Sequence, residues 1–492
     1  MRKLVFILIL LTSTYAMAQK VTLKGTVVDV NEQPLPLKLD PANRHYFQYD
    51  GKPIVLITSG EHYGALINLD FDYIPYLDSL NAQGMNNTRV FSGTYVERGK
   101  DIKWMGYENT LAPRPNRLIA PWARSNVKGY FVGGNKFDLD KWNGKYFKRL
   151  KDLITQAKKR GIFVELTLFG NQYSDSIWIN SPLYPENNIQ HSGPSGAGSF
   201  RIFETLGNRE LLAREDEFVD KVLHELNGFD NLYYEVCNEP FNDVTDSLAV
   251  IKWHNHMIDL ITRIEASLPK KHLIATNQAD VDNVHVSVAN YHYVQIPNKP
   301  SDAWIYSLNK VYSMDETMGS LIDSNVNDVR VEAWDFFMRG GGAYNNLSWE
   351  YTPDNESGSD SARIIRIQLS YLKTFMNSID FLKMAPDNKT VIKYPRGTFI
   401  RVLSDKGKEY ACYLHHSIPK GKKNIWGYDA IEKTFKDTLF VQIPAGIYDV
   451  KYTNPSSCKL FDDVDTIESN GGQSMLITPS FKTDIAFIIR RK

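Results

Sequence analysis

Cysteine is nearly absent. The 492 residues include three, Cys237, Cys412 and Cys458, too few for a disulfide scaffold or a cysteine-built zinc site. Cys237 lies in an apolar run and is expected to pack as a small apolar group. Cys412 and Cys458 share the C-terminal region and could pair in an oxidising compartment; their positions leave that open. An excess of either charge is also missing, since Lys+Arg and Asp+Glu both number 57. Such a balance argues against nucleic acid or an anionic membrane as partner and favours a neutral substrate. No internal repeat or low-complexity tract stands out. The most apolar early run, Leu4–Leu11, is too short to span a bilayer. With Arg2 and Lys3 before it and Ala16-Met17-Ala18 after it, residues 1–18 read as a secretory signal cleaved near Ala18. No cysteine follows that point, so no lipid anchor is indicated. The expectation is an exported, soluble protein, periplasmic or extracellular, whose oligomeric state the sequence leaves open.

What is present fits a large enzyme. The chain is 42% hydrophobic and 23% charged, long enough for one large barrel and a smaller domain. Aromatics are plentiful, with 27 Tyr, 24 Phe and 9 Trp. Planar rings stack on the apolar faces of sugars, although most will be core.

Short β-favouring runs alternate with helical periodicities from about residue 53 to 380. Strands are expected at 53–58, 87–91, 162–168, 233–237, 272–276, 286–291, 310–315 and 343–348. Helices are expected at 70–83, 143–160, 209–226, 246–268, 328–339 (capped by Asn327) and 361–380. Eight β-then-α units make a (β/α)8 barrel, an α/β fold. Long aromatic segments after strands two and three read as a functional rim. Beyond a connector at about 384–396 the pattern turns to short alternating strands, which reads as a β-sandwich. The expected organisation is a signal peptide (1–18), an N-terminal β segment on the barrel (19–45), a catalytic barrel (46–383) and a C-terminal immunoglobulin-like sandwich (397–492).

Within this frame the stretch Tyr233-Tyr234-Glu235-Val236-Cys237-Asn238-Glu239-Pro240 stands out. Pro240 cannot donate to a sheet ladder, so the strand should stop beside Glu239 and leave its carboxylate at the strand's C-terminal end, the catalytic face of a barrel. Glu316 ends the run Lys310–Asp315 in the same way. Two carboxylates at one barrel mouth suit glycosidic hydrolysis, one donating a proton and the other attacking the sugar carbon or activating water. Arg89 sits inside strand two. A buried guanidinium is costly unless paired, so it is expected to reach up and hold a catalytic carboxylate ionised. A structural acid is its alternative partner. Glu61, His62, Asn171 and Gln172 end other strands and could bind sugar hydroxyls. Glu235 is expected to be a deeper structural acid, Glu332 is expected within a helix, and Glu350 is the second candidate for nucleophile. His254 and His256, two apart on a helix, do not share a face and are unsuited to ligate a metal together. No metal or cofactor is expected.

Asn-Glu-Pro after one strand, glutamate after a later one and arginine on the second resemble glycoside hydrolase clan A, the retaining barrel enzymes that include family 5. The resemblance covers roughly residues 45–380. It implies Glu239 as acid/base after strand four and Glu316 as nucleophile after strand seven. It also implies that Asn238 bonds the sugar 2-hydroxyl, that His292 and Tyr293 line the site after strand six, and that Trp349 is a stacking platform after strand eight. The adjacent His-Tyr departs from the clan's His-x-Tyr spacing. A barrel followed by an immunoglobulin-like domain is similar to some bacterial β-1,3-glucanases of family 158. The implied substrate is a neutral β-glycan: β-1,3-glucan, with β-mannan and β-1,4-glucan as alternatives, cut in endo fashion, with exo action the rival. A non-catalytic glycan-binding protein on a barrel scaffold is the reading from another class.

Overall fold

The computed structural model describes residues 35–60, 63–101, 109–240, 246–277, 279–292, 306–317, 325–348, 350–419 and 427–492, and Leu35–Lys492 form one compact unit. The expected signal segment therefore lies outside the described residues.

Eight parallel strands build the centre: β1 Leu56–Gly60, β2 Asn87–Phe91, β3 Phe163–Gly170, β4 Leu232–Asn238, β5 Ile274–Asn277, β6 Val288–His292, β7 Val311–Thr317 and β8 Ala343–Leu347. They pair in the order β1-β8-β7-β6-β5-β4-β3-β2, a nearly closed barrel. At the seam between β1 and β2 one side chain replaces ladder bonds. Asn86 Oδ1 accepts from the Ile57 N–H at 2.8 Å, and its Nδ2 donates to the Val55 carbonyl at 2.9 Å. The strands are buried along their length, but polar side chains interrupt their apolar runs, among them Arg89 on β2, Glu165 and Thr167 on β3, and Glu235 on β4.

Outside the barrel lie α1 Tyr73–Ala82, α2 Gly144–Lys159, α3 Arg209–Leu226, α4 Ser247–Ser267, α5 Val326–Phe337 and α6 Asp360–Met376. Each begins with a side-chain cap, from Asp72, Asn143, Asn208, Asp246, Asn325 and Ser359 respectively. The cap of α5 is Asn325 rather than Asn327, and the helix starts correspondingly earlier. Between β5 and β6 no helix occurs among the described residues, so eight strands are present without eight β-then-α units. The first barrel strand begins at Leu56, because Lys52–Ile54 instead joins Phe47–Tyr49 and Lys38–Leu39 in a small antiparallel sheet. Leu37, Leu39 and Phe47 cluster with Leu56, Phe163, Val288, Val311 and Ala343. These side chains close the N-terminal end of the barrel and leave the opposite end for chemistry. The rim after β2 carries an antiparallel hairpin, Trp122–Lys128 with Asn135–Trp142.

From Ala385 onward the chain forms antiparallel sheets. Val391, Leu439, Val441 and Leu476 of one sheet share a core with Val402, Cys412, Tyr448 and Phe487 of the other, the two layers of a sandwich. All three cysteines are free thiols, Cys412 being buried in that core.

Candidate active site

The polar cluster at the C-terminal end of the barrel is built around Arg89, which is completely buried on β2. Its Nη1 donates to Glu316 Oε2 at 3.1 Å, and its Nη2 donates to Glu235 Oε2 at 2.5 Å and to Asn238 Oδ1 at 2.7 Å. Asp315 Oδ2 lies 3.4 Å from its Nε. Burial alone would lower the guanidinium's pKa, but Glu235, Asp315 and Glu316 hold it well above the ordinary value. Arg89 thus has both partners weighed in the sequence, the candidate nucleophile and the deeper acid Glu235.

Glu316 lies within β7 rather than just beyond it. The pairing of β7 shifts register between Met314 and Thr317, and again opposite Asn290 and His292. A regular strand sends successive side chains to opposite faces. Here the irregularity lets both Asp315 and Glu316 reach Arg89, the re-aiming that bulges produce beside active sites.

Glu239 follows β4 with φ of 48°, a left-handed backbone that few non-glycine residues adopt. Pro240 already disfavours the right-handed helical conformation for the residue before it. The carboxylate accepts from the Tyr173 hydroxyl at Oε2, 2.7 Å, and bonds His292 Nδ1 through Oε1 at 2.9 Å. Tyr173 too has a positive φ, 50°, and its hydroxyl oxygen accepts from Asn238 Nδ2 at 2.9 Å. Strained backbone of this kind costs about 1–3 kcal/mol per residue and gathers at functional sites.

His292 lies between the two glutamates. Its Nδ1 is 3.7 Å from Glu316 Oε2 and its Nε2 is 3.3 Å from Asp315 Oδ2. Burial would lower its pKa, yet the charges of Glu316 and Asp315 and bonds to Asp315 and Glu239 hold the ring well above its usual value, as an imidazolium. One oxygen of Glu239, one of Glu316 and a ring nitrogen of His292 all lie within 4.8 Å of one another. Glu235, His292 and Asp315 make a second such group. Both sets have the donors a cation would use, but the Arg89 guanidinium already lies against Glu235, Asp315 and Glu316. Beneath them Glu165 is bonded by Asn290 and Tyr233. Burial, with the charges of Asp315 and Glu235, pushes its carboxyl up to about 8.

The remaining expected residues divide. Asn171 is buried and used structurally: its Nδ2 donates to the Glu239 carbonyl at 3.2 Å and its Oδ1 accepts from the Tyr173 N–H. Glu350 turns away to the N-terminus of α6, where its Oε2 accepts from the Ala362 N–H at 3.0 Å. Glu332 accepts from the Tyr344 hydroxyl. His256 pairs with Asp216, apart from the buried His254. Glu61, His62, Tyr293 and Trp349 lie outside the described residues. Tyr173, Asp315, Glu165 and Asn290 are members of the cluster that sequence reasoning did not single out.

No family model matches the sequence, and no curated protein matches it. Among solved structures the chain is similar to a Bacteroides vulgatus protein assigned provisionally to the glycoside hydrolases, at 12% identity over 94% of this chain and 83% of that one, with a TM-score of 0.59. A protein described as a glycoside hydrolase matches at 12% identity over 93% and 97%, TM-score 0.58. A family 5 glycoside hydrolase from Bacteroides vulgatus matches at 12% over 93% of each chain, TM-score 0.58. The fold is therefore that of glycoside hydrolases, shared across both the barrel and the C-terminal sheets.

Proposed function

We propose that this chain is an exported retaining β-glycoside hydrolase acting on a neutral glycan by double displacement. The observation that carries the reading is the approach of Glu239 and Glu316 to within 4.8 Å at the barrel mouth. Carboxyl groups about 5 Å apart leave room for direct attack on the sugar but not for an intervening water.

In the first step a Glu316 oxygen attacks the anomeric carbon while Glu239 gives a proton to the leaving oxygen. The cations of Arg89 and His292 both face Glu316 Oε2, which favours negative charge on the attacking group before the step. The hydrogen bond between His292 Nδ1 and Glu239 Oε1 carries the proton, so the pair can supply the leaving group. Once Glu316 is esterified its charge is gone, and Glu239 accepts a proton from the water that releases the sugar. Asn238, fixed between Arg89 and Tyr173, is the group proposed to meet the sugar 2-hydroxyl. His62, Tyr293 and Trp349 are proposed to complete the sugar-binding surface.

Purified protein should be offered β-1,3-glucan first, then β-mannan and β-1,4-glucan, with products followed by chain length and anomeric configuration. Retained configuration is expected; inverted product would overturn the double displacement. Glu316→Ala should lower turnover by at least about 10⁴-fold, with azide or formate restoring part of it. Unchanged activity in that variant would remove Glu316 from the reaction. Mass analysis of protein recovered outside the cytoplasm should find a chain beginning at Gln19; an uncut chain retained inside would refute export.

A further inference from the structure

Between α2 and α3, outside the barrel, lies an open cavity of about 350 Å³. It shares no lining residue with the polar cluster at the barrel mouth, and the reaction above makes no use of it. Small-molecule sites span about 300–1,000 Å³, so this volume suits one ring with its substituents. One wall is Trp142, which ends the second strand of the rim hairpin; Asn143 follows it as the cap of α2. Trp122 stacks on the indole at 6.2 Å and Phe147 meets it edge-on at 6.0 Å, yet Trp142 stays partly exposed. A ring held by two others and still open to a cavity is a preformed stacking surface.

The floor is a charge bridge between the two helices. Glu225 on α3 accepts from Lys151 of α2 at Oε2 and lies against Lys221 at Oε1, each at 2.6 Å. Lys221 is also placed over the Phe147 ring, 5.3 Å from its centre. Each carboxylate oxygen can accept a second bond and each ammonium has donors to spare, so the bridge can still meet hydroxyl groups. Lys148, beside Phe147 on α2, lines the same cavity. It is exposed and makes no hydrogen bond or ion pair among the described residues. Three lysines thus face one glutamate, a local surplus of two positive charges on a chain whose net charge is zero.

We propose that this cavity is a binding site for an acidic sugar residue: the pyranose ring lies against Trp142, its carboxylate pairs with Lys148, and its hydroxyls bond the Lys151–Glu225–Lys221 bridge. The unpaired cation selects an anion over a neutral sugar. The bridge selects a hydroxylated ring over a bare aromatic acid, which would leave those polar groups covered and unbonded. The cavity lies outside the barrel, so the inference stands or falls apart from the hydrolase reading.

Glucuronate, glucose and benzoate should each be titrated against the full chain by ligand-observed NMR. Glucuronate is expected to bind with about millimolar affinity, ordinary for a single small ring, and at least about fivefold more tightly than either of the others. Its binding should weaken as salt rises from about 0.01 to 0.15 M, because the pairing cation is exposed. Lys148→Glu changes an exposed position, keeps the fold, and should weaken glucuronate about tenfold or more by replacing attraction with repulsion. Trp142→Ala should weaken it several-fold; if that variant unfolds, Lys148→Glu still decides. Glucose bound as tightly as glucuronate would overturn the acidic class, and benzoate bound as tightly would overturn the sugar. Glucuronate binding unchanged by Lys148→Glu would place the ligand elsewhere on the molecule and overturn the site, as would no binding at tens of millimolar.

Discussion

Arg89 shows how one side chain can order a site. It is wholly buried and bonded to Glu235, Asn238 and Glu316 at once, with Asp315 alongside. A guanidinium presents its donors in a fixed fork, so it sets the carboxylates' positions as well as their charge. His292 differs in that its protonation depends on its acidic neighbours, Glu316 and then Asp315. Asp315→Asn keeps the size of the side chain and removes one of those charges. The ring's pKa should then drop, since every tenfold weakening of proton binding corresponds to about 1.4 kcal/mol of lost preference for the charged form. A raised histidine is fully protonated below its unfolded value and loses its charge as pH rises through its folded value. The variant should therefore lose the imidazolium at lower pH than the wild type. Nitrogen NMR of the ring should show this directly, and kcat should fall roughly tenfold or more at neutral pH. An unchanged ring titration would remove Asp315 from its role.

At the scale of elements, regular structure and irregular structure were legible to different degrees. Helix α3 occupies its expected span, Arg209–Leu226, because its apolar spacing and the Asn208 cap agree. The Asn-Glu-Pro ending of β4 and the arginine inside β2 were legible because both residue types are out of place in ordinary strands. Asp315 and Tyr173 were not. The first depends on a register shift in β7 and the second on a left-handed backbone at the end of β3. Neither leaves a period in the sequence. The barrel seam is a third irregularity, joined by Asn86 through Ile57 and Val55. Asn86→Ala would leave two buried main-chain groups without those partners, at about 1–3 kcal/mol each. Denaturant unfolding of that variant should show a loss of roughly 2 kcal/mol or more with an unchanged m-value. A loss under about 0.5 kcal/mol would mean that water or another group takes over both bonds.

On the scale of the whole molecule, the C-terminal sheets act as a second wall for helix α5, which follows the strand carrying Asp315 and Glu316. Arg330 on α5 forms a two-pronged bond with Asp484, 2.9 and 2.8 Å, both residues buried. One turn further along, Asp335 meets Arg401 at 2.7 Å and His415 at 3.2 Å from the sheets, and Arg339 at 3.1 Å from its own side. Trp334 stacks on Tyr413 between these polar groups. Burial would raise the Asp335 carboxyl, but the guanidiniums of Arg401 and Arg339 and the bond from His415 hold it well below the carboxylate range. Asp335→Asn removes the charge that both arginines face. Breaking one partner of a buried pair costs about 3–5 kcal/mol, because the other charge is left uncompensated. The pH dependence separates this cause from lost packing. A carboxyl depressed in the folded state stabilises fully above its unfolded value, about 3.9, and loses that contribution as pH falls toward its folded value. The stability gap between wild type and Asp335→Asn should therefore be constant from pH 5 to pH 7 and narrow below pH 4. A gap that stays the same down to pH 2 would assign the loss to shape rather than charge, and the sheets would then hold α5 through their apolar contacts alone.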